Sequence, residues 1–171
     1  TCILVKSGEE MFVVDIGGGS AANLRSWNIL FGKIKAVLLT HLHSDHISDL
    51  PALHQGAWLL QNKTEKLKVY GPEGVSLVTE GFEKAYELDY DFRSEHHGEA
   101  IAPRQYAGFN AKTIDLNEPV LFNKDGLKIT AFKVIHEPIE PALGYKFEYK
   151  GRSLVITGDT SYAQSVIDNS M

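Results

Sequence analysis

Short runs of β-forming residues alternate with helical patterns along this chain. "TCILVK", "MFVVD", "AVLLT", "LKVYG", "LKITAFKVI", "LGYKFEY" and "SLVIT" read as strands, being apolar or alternating over four to nine positions. Gly8 between the first two predicts a hairpin, as do "NKDG" before Leu127 and "YKGR" between Tyr149 and Ser153. Helical spacing appears in "SAANLRSWNIL" with Ser20 as its cap, in "ISDLPALHQGAWLLQ", and in "PEGVSLVTEGFEKAYEL". The stretch 89–117 is polar with little periodicity and reads as a surface loop. Strand–helix alternation followed by hairpins predicts a mixed, layered α/β or α+β sheet in one domain spanning 1–171.

Composition narrows the classes. Hydrophobics at 43% and charged residues at 23% are ordinary globular values, which argues against disorder. The net charge of −5, without a polybasic tract, disfavours a broad nucleic-acid grip, although a small positive pocket stays possible. Cys2 is the single cysteine, so no internal disulfide forms; this fits a reducing compartment and favours a cytoplasmic location. No apolar run approaches the roughly 18 residues of a membrane span, so no membrane partner is expected.

The chemistry concentrates in "AVLLTHLHSDHISDLP", which crowds His41, His43, Asp45 and His46 onto one turn. A bare His–X–His pair reads as a solvated loop. Here the turn follows a buried-strand signal, and ligands gather at the carboxyl ends of strands in α/β sheets. In extended backbone His41 and His43 point to one side. Asp45 and His46 swing to a neighbouring point as the helix begins. Imidazole plus carboxylate without thiolate suits zinc, manganese or iron.

Two later positions have the right form. His136 ends the strand "LKITAFKVI", where a turn-capping histidine is the alternative. Asp159 follows "SLVIT", with Gly158 allowing a close approach; a helix N-cap is the alternative, and Thr160 also fits that role. A carboxylate can bridge two cations and an imidazole cannot, which suits Asp159 to a shared position.

His41, His43, Asp45 and His46 in H-x-H-x-D-H order, then "VIHEP", then "TGDT", resemble the metallo-β-lactamase fold superfamily. "VYGPEG" and "LGYKFEYKGRSLVITGDT" resemble its branch of ribonuclease Z-like and arylsulfatase-like metallohydrolases. The resemblance implies an αββα sandwich with a metal site at one sheet edge. It makes His41, His43 and His136 ligands of one ion and Asp45 and His46 ligands of a second, with Asp159 bridging. Asp15 is similar to the family's early acidic position, which supports the site from behind; a turn former at a strand end is the equal alternative. One or two zinc ions are the implied cofactor. The implied activity is hydrolysis of a phosphodiester or sulfate ester by a metal-bound hydroxide, with Asp45 orienting it. The rival is a catalytically inactive remnant acting as a metal-binding or interaction protein.

Against the family's pattern, the first strand, the second αβ half and a histidine after His136 are not found. That leads to the expectation of an incomplete sandwich whose bare apolar sheet drives homo-oligomer formation. Only 23 positions separate His136 from Asp159, and these form a hairpin with no room for a tRNA-gripping arm. A small anionic ester is therefore the expected substrate. His96 and His97 are candidates for reaching over the site, against an exposed polar loop as the plainer reading. His54 reads as a surface or packing residue and Trp27 and Trp58 as core. Arg104 and Tyr106 receive no role.

Overall fold

The computed structural model describes residues 1–59 and 64–171. Two β-sheets face each other with helices outside both. The first sheet is ordered β1 (Ile3–Ser7), β2 (Glu10–Val14), β3 (Ile34–Leu38), β4 (Leu67–Gly71) and β5 (Phe109–Thr113). β1 and β2 form an antiparallel hairpin, while β2 to β5 run parallel. The second sheet is the antiparallel meander β6 (Val120–Lys124), β7 (Leu127–His136), β8 (Ile139–Tyr149) and β9 (Arg152–Ile156). Its two tight turns place Asp125–Gly126 and Lys150–Gly151 at positive φ, the geometry of two-residue hairpins.

Alternation sorts the strands into two cores. Phe12, Val14, Ala36 and Leu38 meet Leu127, Ile129, Leu143, Tyr145 and Phe147 between the sheets. Their intervening neighbours Val13, Val37 and Val69 face outward and pack with Leu24, Leu50, Leu53 and Val75. Those come from α1 (Ser20–Ser26), α3 (Leu50–Trp58) and α4 (Val75–His97), the helical layer of the first sheet. On the far side, α5 (Gln164–Ser170) sets Val166 against Phe132, Val134 and Ala142. This is the expected αββα sandwich. Among the described residues no helix is long and apolar enough to cross a membrane.

Several boundaries differ from expectation. Gly19 rather than Ser20 caps α1, and Asp49 accepts a hydrogen bond from the Ala21 amide at 2.9 Å to help satisfy that terminus. The helix predicted over 47–61 is two pieces, α2 (Ser44–Ile47) and α3, because Pro51 can sit only in a helix's first turn. Its end at Leu60 and Gln61 lies outside the described residues. α4 runs on to His97 where a loop was expected, held by Arg93 on Asp89 four residues earlier and by buried Tyr90. β5 occupies the same supposed loop; as an edge strand only Phe109 is fully buried, which muted its signal. Trp58 is core, donating from Nε1 to the Pro103 carbonyl, whereas Trp27 lies exposed beyond the end of α1.

The bare apolar sheet is seen only in part. α5 covers one end of the outer face of β7 to β9, and polar side chains, among them Lys128, Lys146 and Glu148, stand elsewhere on it. Val120, Ile135 and Leu154 are exposed apolar side chains on the strands of this sheet, and Leu77, Leu88 and Phe92 are exposed on α4.

Candidate metal centre

The site sits where β3 stops. Leu38 is the last residue of the strand, and Leu39 keeps one more sheet bond to the Tyr70 carbonyl before the chain turns. Thr40 and His41 are buried, the turn carries His43 outward, and Ser44 and Asp45 stand exposed in the first turn of α2. The "IGGGS" loop after β2 seats this turn. The Ile16 amide donates to the His46 carbonyl at 2.7 Å, and a Cβ added to Gly17 would lie 1.8 Å from the Asp45 carbonyl oxygen. Only glycine permits that approach.

Asp15 is the keystone beneath the imidazoles. It is buried at the end of β2, with φ of 56°, an uncommon backbone for a residue with a Cβ. Its Oδ1 accepts from the Thr40 amide at 2.8 Å, and its Oδ2 accepts from the Thr40 hydroxyl and from His46 Nδ1, each at 2.8 Å. Burial pushes the carboxyl above its ordinary value, while the bonds from Thr40 and His46 pull the other way. Thr40 gives its one hydroxyl proton to Asp15, so His41 Nδ1 donates to Thr40 Oγ1 at 3.0 Å. Both rings are thereby set with Nε2 bare and aimed into the site. This is the carboxylate–histidine arrangement that orients metal ligands. Of the two readings for Asp15, a supporting residue and not a plain turn former matches these contacts.

The structure brings all six predicted site residues to one place. Ligand atoms of His41, His43 and His136 lie within 4.8 Å of one another, as do those of His41, His46 and Asp159. His41 is common to both groups. Its Nε2 is 3.0 Å from His43 Nδ1, and its ring centroid is 4.8 Å from that of His136. Asp45 Oδ2 lies 3.4 Å and Asp159 Oδ1 3.6 Å from His46 Nε2. Asp45 stands in neither tight group; its side chain is 71% exposed at the mouth. Burial, followed by the charges of His46, His136 and His43, pushes His41 down to about 4. Its imidazole is therefore neutral at physiological pH, the form that ligates a cation.

His136 Nε2 tests the fit of a metal. It is a buried ring nitrogen with no hydrogen-bond partner, and native structures rarely leave such an atom unsatisfied. A cation among three imidazoles would satisfy it, and a purely imidazole and carboxylate donor set suits zinc. Elsewhere around the site, Gly158 has φ of +62°, and a Cβ there would lie 2.7 Å from that of Thr40, so glycine brings Asp159 in. Neither Asp159 nor Thr160 caps a helix: α5 starts at Gln164 with Ala163 as its cap, and Thr160 bonds the Ile135 backbone. Two further bonds fasten the second sheet behind the turn: Leu143 amide to Thr40 carbonyl at 2.9 Å and Tyr145 hydroxyl to Leu39 carbonyl at 2.6 Å.

The remaining histidines lie apart. α4 leaves the carboxyl end of β4 and runs back along the sheet to the start of β5, so His96 and His97 sit at the opposite end from the histidine turn. They are exposed on a helix terminus, not on a loop over the site. His54 is buried, and its Nε2 accepts from the Gly108 amide at 2.8 Å. Arg104 pairs with Asp91 and lies over the Tyr90 ring, while Tyr106 joins the same aromatic cluster.

Residues 14–171 match the model of the β-lactamase superfamily domain. The chain belongs to this superfamily. Ribonuclease Z of Mycolicibacterium gilvum is 31% identical over 92% of the chain, and that of Mycobacterium bovis is 32% identical over 92%. The alignments cover 54% and 55% of those proteins, so the chain spans about half the length of the curated relatives it matches. Among solved structures, human tRNase Z short form superposes with a TM-score of 0.71 at 21% identity, covering 99% of this chain and 66% of that one. The Zn(2+)-bound PqqB of Methylobacterium extorquens gives 0.61 at 18% identity, covering 97% and 55%. At such identities these superpositions speak for the fold.

Proposed function

We propose that this chain carries the metal centre of a hydrolase that cleaves a phosphodiester. His41, His43 and His136 would hold one cation, and Asp45 and His46 a second, with Asp159 shared between them. Zinc is the proposed ion. Bound divalent cations would supply Lewis acidity, making water nucleophilic near neutral pH and offsetting charge on phosphoryl oxygens. The observation carrying the reading is the pair of ligand groups that share His41, one of which contains the unsatisfied His136 nitrogen.

The residues divide the labour by position. Asp15 and Thr40 hold the tautomers of His46 and His41 by accepting their Nδ1 protons. Asp45, exposed at the mouth and beside His46, would orient the attacking hydroxide toward substrate. Similarity to ribonuclease Z proteins favours a phosphodiester over a sulfate ester. The test is turnover of paired chromogenic phosphate-diester and sulfate-ester substrates by zinc-loaded protein. Chelator-sensitive hydrolysis of the phosphodiester is expected. Chelator-insensitive turnover, or preference for the sulfate ester, would contradict the proposal.

A further inference from the structure

A hollow of about 490 Å³ opens in the wall that carries His136. The β7–β8 hairpin supplies one side of it through Ile135, His136 and Ile139, and the stretch entering α5 supplies the other through Ala163 and Gln164. His136 belongs both to this wall and to the group of three imidazoles, and Ile139 stands directly opposite it in the β7–β8 register. The second side begins four residues after Asp159. Each side is therefore the continuation of a segment that holds a proposed ligand. The volume lies within the range of small-molecule sites.

The two sides are fastened to one another, so the hollow is preformed. The Ser161 amide donates to the Ile135 carbonyl at 2.8 Å, the Ile135 amide to Thr160 Oγ1 at 3.2 Å, and the Ser165 hydroxyl to the Lys133 carbonyl at 2.6 Å. Buried Val134 and Ala163 contribute to the lining, while Ile135 stays 44% exposed. Charge on the wall is small and negative. Lys133 is bonded to Glu140, which leaves Glu137 to set the sign.

We infer that this hollow receives an uncharged, apolar arm of the substrate, aryl or alkyl, while the phosphate lies at the metal centre. The inference rests on the proposed hydrolase reading and narrows it to phosphodiesters with one such ester group. Apolar side chains reward the burial of an apolar arm. An arm that carries further phosphates, as a polynucleotide does, would bring like charge against Glu137. Ile135 and Ile139 are thus specificity-determining residues, and they touch no proposed ion.

Isothermal titration of the zinc-saturated chain with unreactive monoanions tests this without turnover, so it can fail while the hydrolase reading stands, and the reverse. Methyl phenylphosphonate and methyl methylphosphonate differ only in the arm. The phenyl compound should bind about tenfold more tightly, in keeping with the modest discrimination of an apolar pocket. Ile139→Ser should bring the two affinities together, and Ile139→Leu should keep them apart. Zinc content and circular dichroism should match the wild type in both variants. Methyl (4-carboxyphenyl)phosphonate, with a second charge on the arm, should bind more weakly than the phenyl compound and recover in Glu137→Gln. Equal affinity for the phenyl and methyl compounds, or binding of neither, would overturn the inference. A phenyl preference that Ile139→Ser leaves intact would place the arm elsewhere and overturn it as well.

Discussion

Asp15 Oδ2 lies 2.8 Å from His46 Nδ1, and both side chains are buried. The same oxygen takes the Thr40 hydroxyl, which in turn holds His41. One carboxylate therefore fixes the ring orientation of two proposed ligands, although it touches no proposed ion. Removing it frees both rings. Asp15→Ala is expected to lower zinc affinity by about 10–100-fold, the usual cost of losing such a partner, as read by competition with a chromogenic chelator. Asp15→Asn, which keeps an acceptor for His46, should lose less. Equal affinity in all three proteins would show that Asp15 does not orient the site.

Gly158 makes a second, sterically based prediction. Gly158→Ala combines a positive φ with a Cβ set 2.7 Å from that of Thr40, so Asp159 must move outward. Zinc titration should show the ion proposed between His46 and Asp159 weakened more than the ion on His41, His43 and His136. Loss of both sites in equal measure would contradict this.

Tyr145 ties the two sheets together behind the turn through its bond to the Leu39 carbonyl. Burial pushes its hydroxyl far above the usual range, so it remains a donor at any ordinary pH. Tyr145→Phe leaves a buried carbonyl short of that donor and should cost about 1–3 kcal/mol in urea unfolding. An unchanged midpoint would mean that another donor takes its place.

His54 gives a pH dependence separate from the metal centre. Burial pushes its imidazole down to about 4, and the Gly108 amide needs the neutral ring as acceptor. The unfolded chain takes up this proton near pH 6.5, so its contribution to stability is full above that value. It is lost as pH falls from there toward 4, by about 3 kcal/mol in total. His54→Gln, which keeps an acceptor but does not titrate, should flatten part of that slope in urea unfolding between these pH values. A slope identical to that of the parent would exclude His54 as its source.

The site was easier to read from the sequence than its supports were. His41, His43, Asp45, His46, His136 and Asp159 announce themselves because ligand-type side chains follow apolar strand runs, where a core has no use for them. Thr40 and Gly17 carry no such mark: a threonine at a strand end and a glycine in a turn look ordinary until the chain packs. Local pattern also failed where tertiary contacts decided the outcome. The last part of α4 is polar in sequence, yet buried Tyr90 and the Arg93–Asp89 pair hold it helical. Trp27 shows the reverse, since large apolar size suggested core and the chain leaves it in solvent.

Metal content tests the central claim most directly. The wild-type chain and His136→Ala, both loaded with zinc and dialysed, would be compared by elemental analysis, with circular dichroism as a check on folding. Wild-type protein should retain tightly bound zinc, and folded His136→Ala should lose it, because the unsatisfied ring nitrogen is a ligand in waiting. Equal zinc in the two proteins, or none retained by the wild type, would contradict the account.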